Sequence, residues 1–233
     1  MTTKFPASVQ PQPIENGVYD IPMILDAALE PQRSLLHHIL LASQRRLKAF
    51  AVQHNWEHHL DDPFARSAHF YAQKKAFDLA LLEINGLDPK IELPETYCAA
   101  LEQGVMMSVS PDLYRELYPE GDEASAFEKL LTHEMAHRLH IRILDGNEDA
   151  MGPVWFYEGF ALHAASQLEK AAPSLPPDEI WAVVEAEDRQ DYRRYVTVFQ
   201  YFLGKATIHQ LVEMAGKIGF ISWLKEIDAQ PVL

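Results

Sequence analysis

From Pro31 onward, Leu35, Leu36, Ile39, Leu40, Leu47 and Phe50 recur at the three- and four-residue spacing of a buried helical face. Pro31 suits a first turn, so a long helix is predicted from there to about His54. Phe77, Leu81 and Ile84 carry the same period in a second helix predicted over 70–84 and closed by Asn85-Gly86. A short strand around Ile91 and a short helix opened by Pro94 are expected next. The run 105–110, VMMSVS, is short, apolar and stopped by Pro111, which predicts a strand. Phe127, Leu130, Leu131, His137 and Leu144 then mark the stripe of another helix. Its start reads as a capping box of Ser125 and Glu128, with Asp122 and Glu123 at the positive end, and Gly146 is its predicted stop.

The remaining pattern is helical. Pro153 opens a segment containing WFYEGFALHAASQLEK, and SLPPDEIWAVVEAE predicts a turn followed by a helix capped by Asp178. Tyr192, Tyr195, Val196, Phe199 and Phe202 share one helical face, and two closing helices flank a break at 216–219. The fold class expected is α+β, mostly helical, with a small mixed sheet whose edge strand, 105–110, precedes the helix of residues 130–144. An exposed edge there can accept an extended peptide as a further strand, and a strand that only packs that helix fits the sequence equally well.

Composition narrows the picture. With 233 residues and 48% hydrophobic content, the chain has material for one sizeable core. Residues 1–22, with four prolines and Asn16-Gly17, read as an extended or mobile arm ahead of a single unit over 23–233. Within that unit the N-terminal helices and small sheet occupy 23–121, the pair of helices that follows 122–172, and the C-terminal helical part 173–233. A formal net charge of −14 argues against a nucleic-acid partner and against an anionic membrane surface. The first residues carry one Lys and no apolar run, no stretch reaches membrane-spanning length, and Cys98 stands alone, which together predict a cytoplasmic protein.

The chemistry is concentrated in LLTHEMAHRLHIRIL, residues 130–144, an HExxH pattern. His133 and His137 lie one turn apart on one face of a helix, so both imidazoles can point at one ion. Neutral imidazole suits zinc, and a catalytic zinc takes three protein ligands and keeps a fourth position open. Glu134 sits about 60° round the helix from His137, beside the ligand face, where a carboxylate can take a proton from water without binding the metal. Downstream, Glu158 follows two aromatics and precedes Gly159, which allows its helix a close approach with the carboxylate pointing inward. A metal would satisfy a carboxylate so buried.

HEMAH followed by WFYEGFA, beginning eighteen residues after His137, resembles the gluzincin metallopeptidases, whose third zinc ligand is a Glu on the following helix in a W-x-x-E-G-x-A setting. The resemblance covers residues 105 to about 205 and is closest to compact bacterial members of the clan that includes the aminopeptidase N-like enzymes. It implies a zincin-like catalytic domain with one zinc ion, His133, His137 and Glu158 as ligands, and Glu134 as general base. A tyrosine on a later helix of that family donates to the developing oxyanion; Tyr192 aligns best with it and Tyr195 is the runner-up.

The departures are specific. Twenty residues separate His137 from Glu158 where those aminopeptidases typically have eighteen, a difference a surface loop tolerates. Glu102, in AALEQG, stands where a G-x-M-E-N motif would read a free amino terminus, but the motif's glycine and asparagine are missing, and a surface acid at a helix end is the competing reading. The metzincin pattern needs Gly and His where this chain has His140 and Ile143. His163 fits a partly buried histidine, and His54, His58, His59 and His69 fit surface histidines better than a second metal site.

The function expected is zinc-dependent hydrolysis of peptide bonds in a peptide or protein substrate. The alternative is a zinc-binding regulatory or partner-binding protein on the same fold, and an amidase acting on a non-peptide substrate is a third reading.

Overall fold

The computed structural model describes residues 10–121, 123–189 and 191–229. It is α+β and mostly helical, with a small mixed sheet. The chain divides into two compact units, residues 1–135 and 136–233. The division falls inside the helix that carries the HExxH pattern.

In the first unit, strands β1 (Gln12–Glu15) and β2 (Val18–Asp20) pair antiparallel across Asn16-Gly17. Gly17 has φ +74°, the left-handed conformation that such a turn asks of glycine. The described part of the expected arm is therefore a hairpin, fastened to the next helix by the Gln44 side chain. Its Oε1 accepts from Tyr19 N at 2.9 Å and its Nε2 donates to Tyr19 O at 3.0 Å. Residues 1–9 of the arm lie outside the described residues.

Strands β3 (Met23–Leu25), β4 (Ser67–Tyr71), β5 (Ala99–Glu102) and β6 (Val105–Val109) form the mixed sheet in the order β3-β4-β6-β5. β6 pairs parallel with β4 and antiparallel with β5. The strand predicted at 105–110 is thus present but interior. All five of its residues are buried, which is why it reads as a continuous apolar run rather than an alternating one. Its backbone is already paired on both sides, so it offers no edge for an added peptide; the edges are β3 and β5. Ser108, the polar residue of that run, donates from Oγ to Cys98 O at 3.1 Å.

Helix α1 (Arg33–Gln53) matches its periodicity, burying Leu36, Leu40, Leu47 and Phe50, although Leu35 is left exposed. The helix predicted over 70–84 is shorter: Phe70 belongs to β4, and α2 (Lys74–Ile84) begins beyond it. Between α2 and β5 no regular element forms at Ile91 or Pro94. Helix α3 (Pro111–Leu117) starts from Ser110, whose Oγ accepts from Leu113 N at 3.3 Å.

Helix α4 (Ala126–Ile143) carries the HExxH residues. The expected capping box does not form. Ser125 has φ +59°, not the extended conformation of such a cap, and the Glu128 carboxylate takes Arg46 at 2.8 Å instead. Asp122 lies outside the described residues. The other end is as predicted, with Gly146 at φ +85° and its N–H on Ile141 O at 2.9 Å.

The second unit holds α5 (Val154–Ala165), α6 (Pro177–Val184), α7 (Tyr192–Leu203), α8 (Ile208–Ala215) and α9 (Phe220–Asp228). α6 is capped at Pro176, and Asp178 sits in its first turn rather than at the cap. α5 and α7 meet through Phe156, Phe160 and Phe199, all fully buried. The contact is close because Gly159 has no side chain: a Cβ there would lie 2.8 Å from Phe199 Cβ.

Candidate metal centre

α4 positions the first two candidate ligands by its own pitch. Leu131, Met135 and Leu139 are fully buried on the helix, which fixes its rotation. His133 is then 5% exposed and His137 half-buried. α5 supplies the third group. Its apolar residues bury almost all of the helix, and Glu158 is held among them at 3% exposure.

His133, His137 and Glu158 each present one ligand atom, and the three atoms lie within 4.8 Å of one another. Between His137 Nε2 and Glu158 Oε2 the distance is 3.6 Å. Ligands about 2.0–2.2 Å from one tetrahedral ion stand about 3.4 Å apart, close to the His137–Glu158 spacing, and the group of three could hold a metal ion. The donor set of two imidazoles and one carboxylate leaves room for a further ligand. Among the described residues this is the one such group of three or more His, Cys, Asp or Glu side chains.

Glu158 has a second neighbour. Its other oxygen, Oε1, lies 3.1 Å from Arg189 Nη2, on the connection between α6 and α7. Arg189 Nη1 donates to the Tyr192 hydroxyl at 2.6 Å, and Nη2 donates to the Tyr157 hydroxyl at 3.5 Å. Burial works against the charged guanidinium, yet Tyr192, Glu158 and Tyr157 outweigh it and hold Arg189 more firmly protonated than an ordinary arginine. The Tyr157 ring also stands edge-on to His137, with centroids 5.8 Å apart.

Of the residues singled out in the sequence, the structure brings His133, His137 and Glu158 together, with Glu134 half-buried between the histidines on α4. Tyr192 is joined to Glu158 through Arg189. Tyr195 is 1% exposed and touches Tyr192 ring to ring at 5.8 Å. Glu102 ends β5 opposite Val105, a strand position and not the helix end anticipated for a surface acid. His140 is fully buried and stacks on Phe160 at 4.4 Å, with its pKa pushed down to about 3 by burial and then by His137. His163 packs on Phe199 at 5.5 Å.

The upstream histidines scatter. His54 contacts Phe50 and Trp56, the His58 and His59 rings meet at a tilt with centroids 4.0 Å apart, and His69 is buried in β4 rather than on the surface. Sequence reasoning missed Arg189 and Tyr157. Tyr157 adjoins Glu158 in the motif and was within reach of it, whereas Arg189 carries no local signal.

Comparison with protein-family models, with curated proteins and with solved structures gives no match for this chain. No helix among the described residues is long and apolar enough to cross a membrane.

Proposed function

We propose that the protein is a zinc-dependent peptidase of the HExxH-and-downstream-Glu kind. The observation that carries this reading is the convergence of His133, His137 and Glu158 from two successive helices on one point. The gluzincin resemblance of HEMAH and WFYEGFA names the ion and the reaction. Two neutral imidazoles and one buried carboxylate are a donor set that zinc accepts. When bound, zinc supplies a Lewis acid and lowers the pKa of the attacking water.

The chain's own residues do the rest. Glu134, flanked by the two histidines, accepts the proton of the attacking water and returns it to the departing amine. Tyr192, whose hydroxyl accepts from Arg189, is proposed as the donor to the developing oxyanion, the role that the gluzincin resemblance implies for it. Tyr157, beside His137, is a second candidate for that role, and Tyr195 is buried behind Tyr192. The lone buried Cys98 suits a reducing compartment, and the proposed place of action is the cytoplasm.

The contact of Arg189 with Glu158 favours one other reading, a zinc-binding regulatory protein on the same framework, because a cation already sits on the third ligand. A diverse peptide library digested by the zinc-loaded protein separates the two. The peptidase reading expects cleavage by the parent and a loss of about 10²–10⁴-fold in Glu134→Gln, with zinc retained. Zinc bound without any cleavage would favour the regulatory reading, and a fully active Glu134→Gln variant would overturn the mechanism.

A further inference from the structure

An ionised carboxylate as deeply buried as Glu158 needs a counter-charge. Arg189 provides one: its Nη2 is 3.1 Å from Oε1, while Oε2 is turned toward His137 Nε2 at 3.6 Å. The guanidinium is held by more than this one contact. The Tyr192 hydroxyl accepts from Nη1 at 2.6 Å, the Tyr157 hydroxyl from Nη2 at 3.5 Å, and the Tyr192 ring lies 5.8 Å from Cζ. About half of the Arg189 side chain remains exposed. It can therefore withdraw toward solvent without opening a packed core.

We propose that Arg189 is a built-in competitor of the metal, a cation that neutralises Glu158 and lowers the site's affinity for a divalent ion. This rests on the reading of His133, His137 and Glu158 as the metal ligands. Two effects act in the same direction. A divalent ion entering beside Oε2 meets a fixed positive charge on the same carboxylate. The guanidinium–carboxylate hydrogen bond is also charge-assisted and strong, and an ion that takes Glu158 from Arg189 gives up that bond. The ion must either displace Arg189 from Glu158 or bind in its field, so the site fills only above a threshold of free metal that Arg189 sets.

The sign of the effect separates this role from a structural one. Losing a residue that merely braces Glu158 weakens metal binding, whereas losing a competitor strengthens it.

The test is the zinc dissociation constant of the full chain, measured by competition with a colorimetric chelator. The parent is compared with Arg189→Met, Arg189→Gln and Arg193→Met. Arg193 pairs with Asp191 on the same segment and controls for the loss of one positive charge. With the repulsion of the guanidinium removed, both Arg189 variants are expected to bind zinc on the order of tenfold more tightly than the parent, with Arg193→Met unchanged. Equal or weaker binding by the Arg189 variants, in a parent that binds one zinc, overturns the proposal and leaves the ligand assignment standing. Equal tightening in Arg193→Met assigns the effect to net charge and also overturns it. If neither the parent nor the Arg189 variants bind zinc, the ligand assignment fails and this proposal with it.

Discussion

Glu158 turns Oε2 toward Nε2 of His137 across 3.6 Å, although the two residues belong to successive helices joined by a polar loop. The histidine's place is set by the pitch of α4. The glutamate's place is set by how α5 is seated, and that depends on the residue following it.

Gly159 is the seat of α5. A Cβ at this position would meet Phe199 Cβ at 2.8 Å and Phe199 Cδ2 at 3.0 Å, both fully buried, so neither partner can yield cheaply. Gly159→Ala is expected to cost about 1–3 kcal/mol in stability, the range for overpacking a filled core. It should also displace Glu158 and weaken zinc binding several-fold. Denaturant melts and a zinc titration of the same preparation check both effects. An alanine variant as stable as the parent and with the parent's zinc affinity would show that the α5–α7 contact does not position the ligand.

His69 gives the first unit an acid-sensitive group remote in sequence from the candidate metal ligands. Burial in β4 pushes its pKa down to about 4 from the ordinary value of 6.5. Between those two values the unfolded chain binds the proton and the folded chain resists it. Stability from this group is therefore complete above about pH 6.5 and declines as pH falls toward about 4, by up to about 1.4 kcal/mol per pH unit. His69→Leu also loses the contact with Ser67 Oγ at 3.0 Å, so its absolute stability is not the diagnostic. The expected signature is a shallower fall in denaturant midpoint from pH 6.5 to 4 than the parent shows. Parallel curves would remove His69 as the source of acid sensitivity.

The helices were legible where one apolar stripe runs for several turns. α1, α7 and the pair α8 and α9 follow their leucines, tyrosines and phenylalanines closely. The three residues of the candidate metal group were legible for a related reason. Two are placed by helix pitch alone, and the third lies in a motif on the next helix. Short strands were harder. Phe70 belongs to β4, and its pattern alone suits a helix as well, because a few apolar residues in a row do not distinguish a short strand from a helical turn.

Pairing partners left no local trace either. Whether β6 is an edge or an interior strand depends on β4, more than thirty residues earlier, and only its largely apolar run, with Ser108 as the one polar residue, hinted at burial on both faces. At the start of α4, Ser125 and Glu128 had the right spacing for a cap, but Arg46 on α1 offered Glu128 a charged partner and won. Arg189 was invisible for the same reason. Nothing around it repeats, and its role depends on where the α6–α7 connection delivers its side chain.

The measurement that tests the account most directly is the zinc content of the purified protein beside its Glu158→Ala variant, by elemental analysis after dialysis and reconstitution. About one zinc per chain in the parent, lost or greatly reduced in the variant, is the predicted result. No zinc in the parent after reconstitution, or equal zinc in both proteins, would contradict the assignment of His133, His137 and Glu158 as a metal centre.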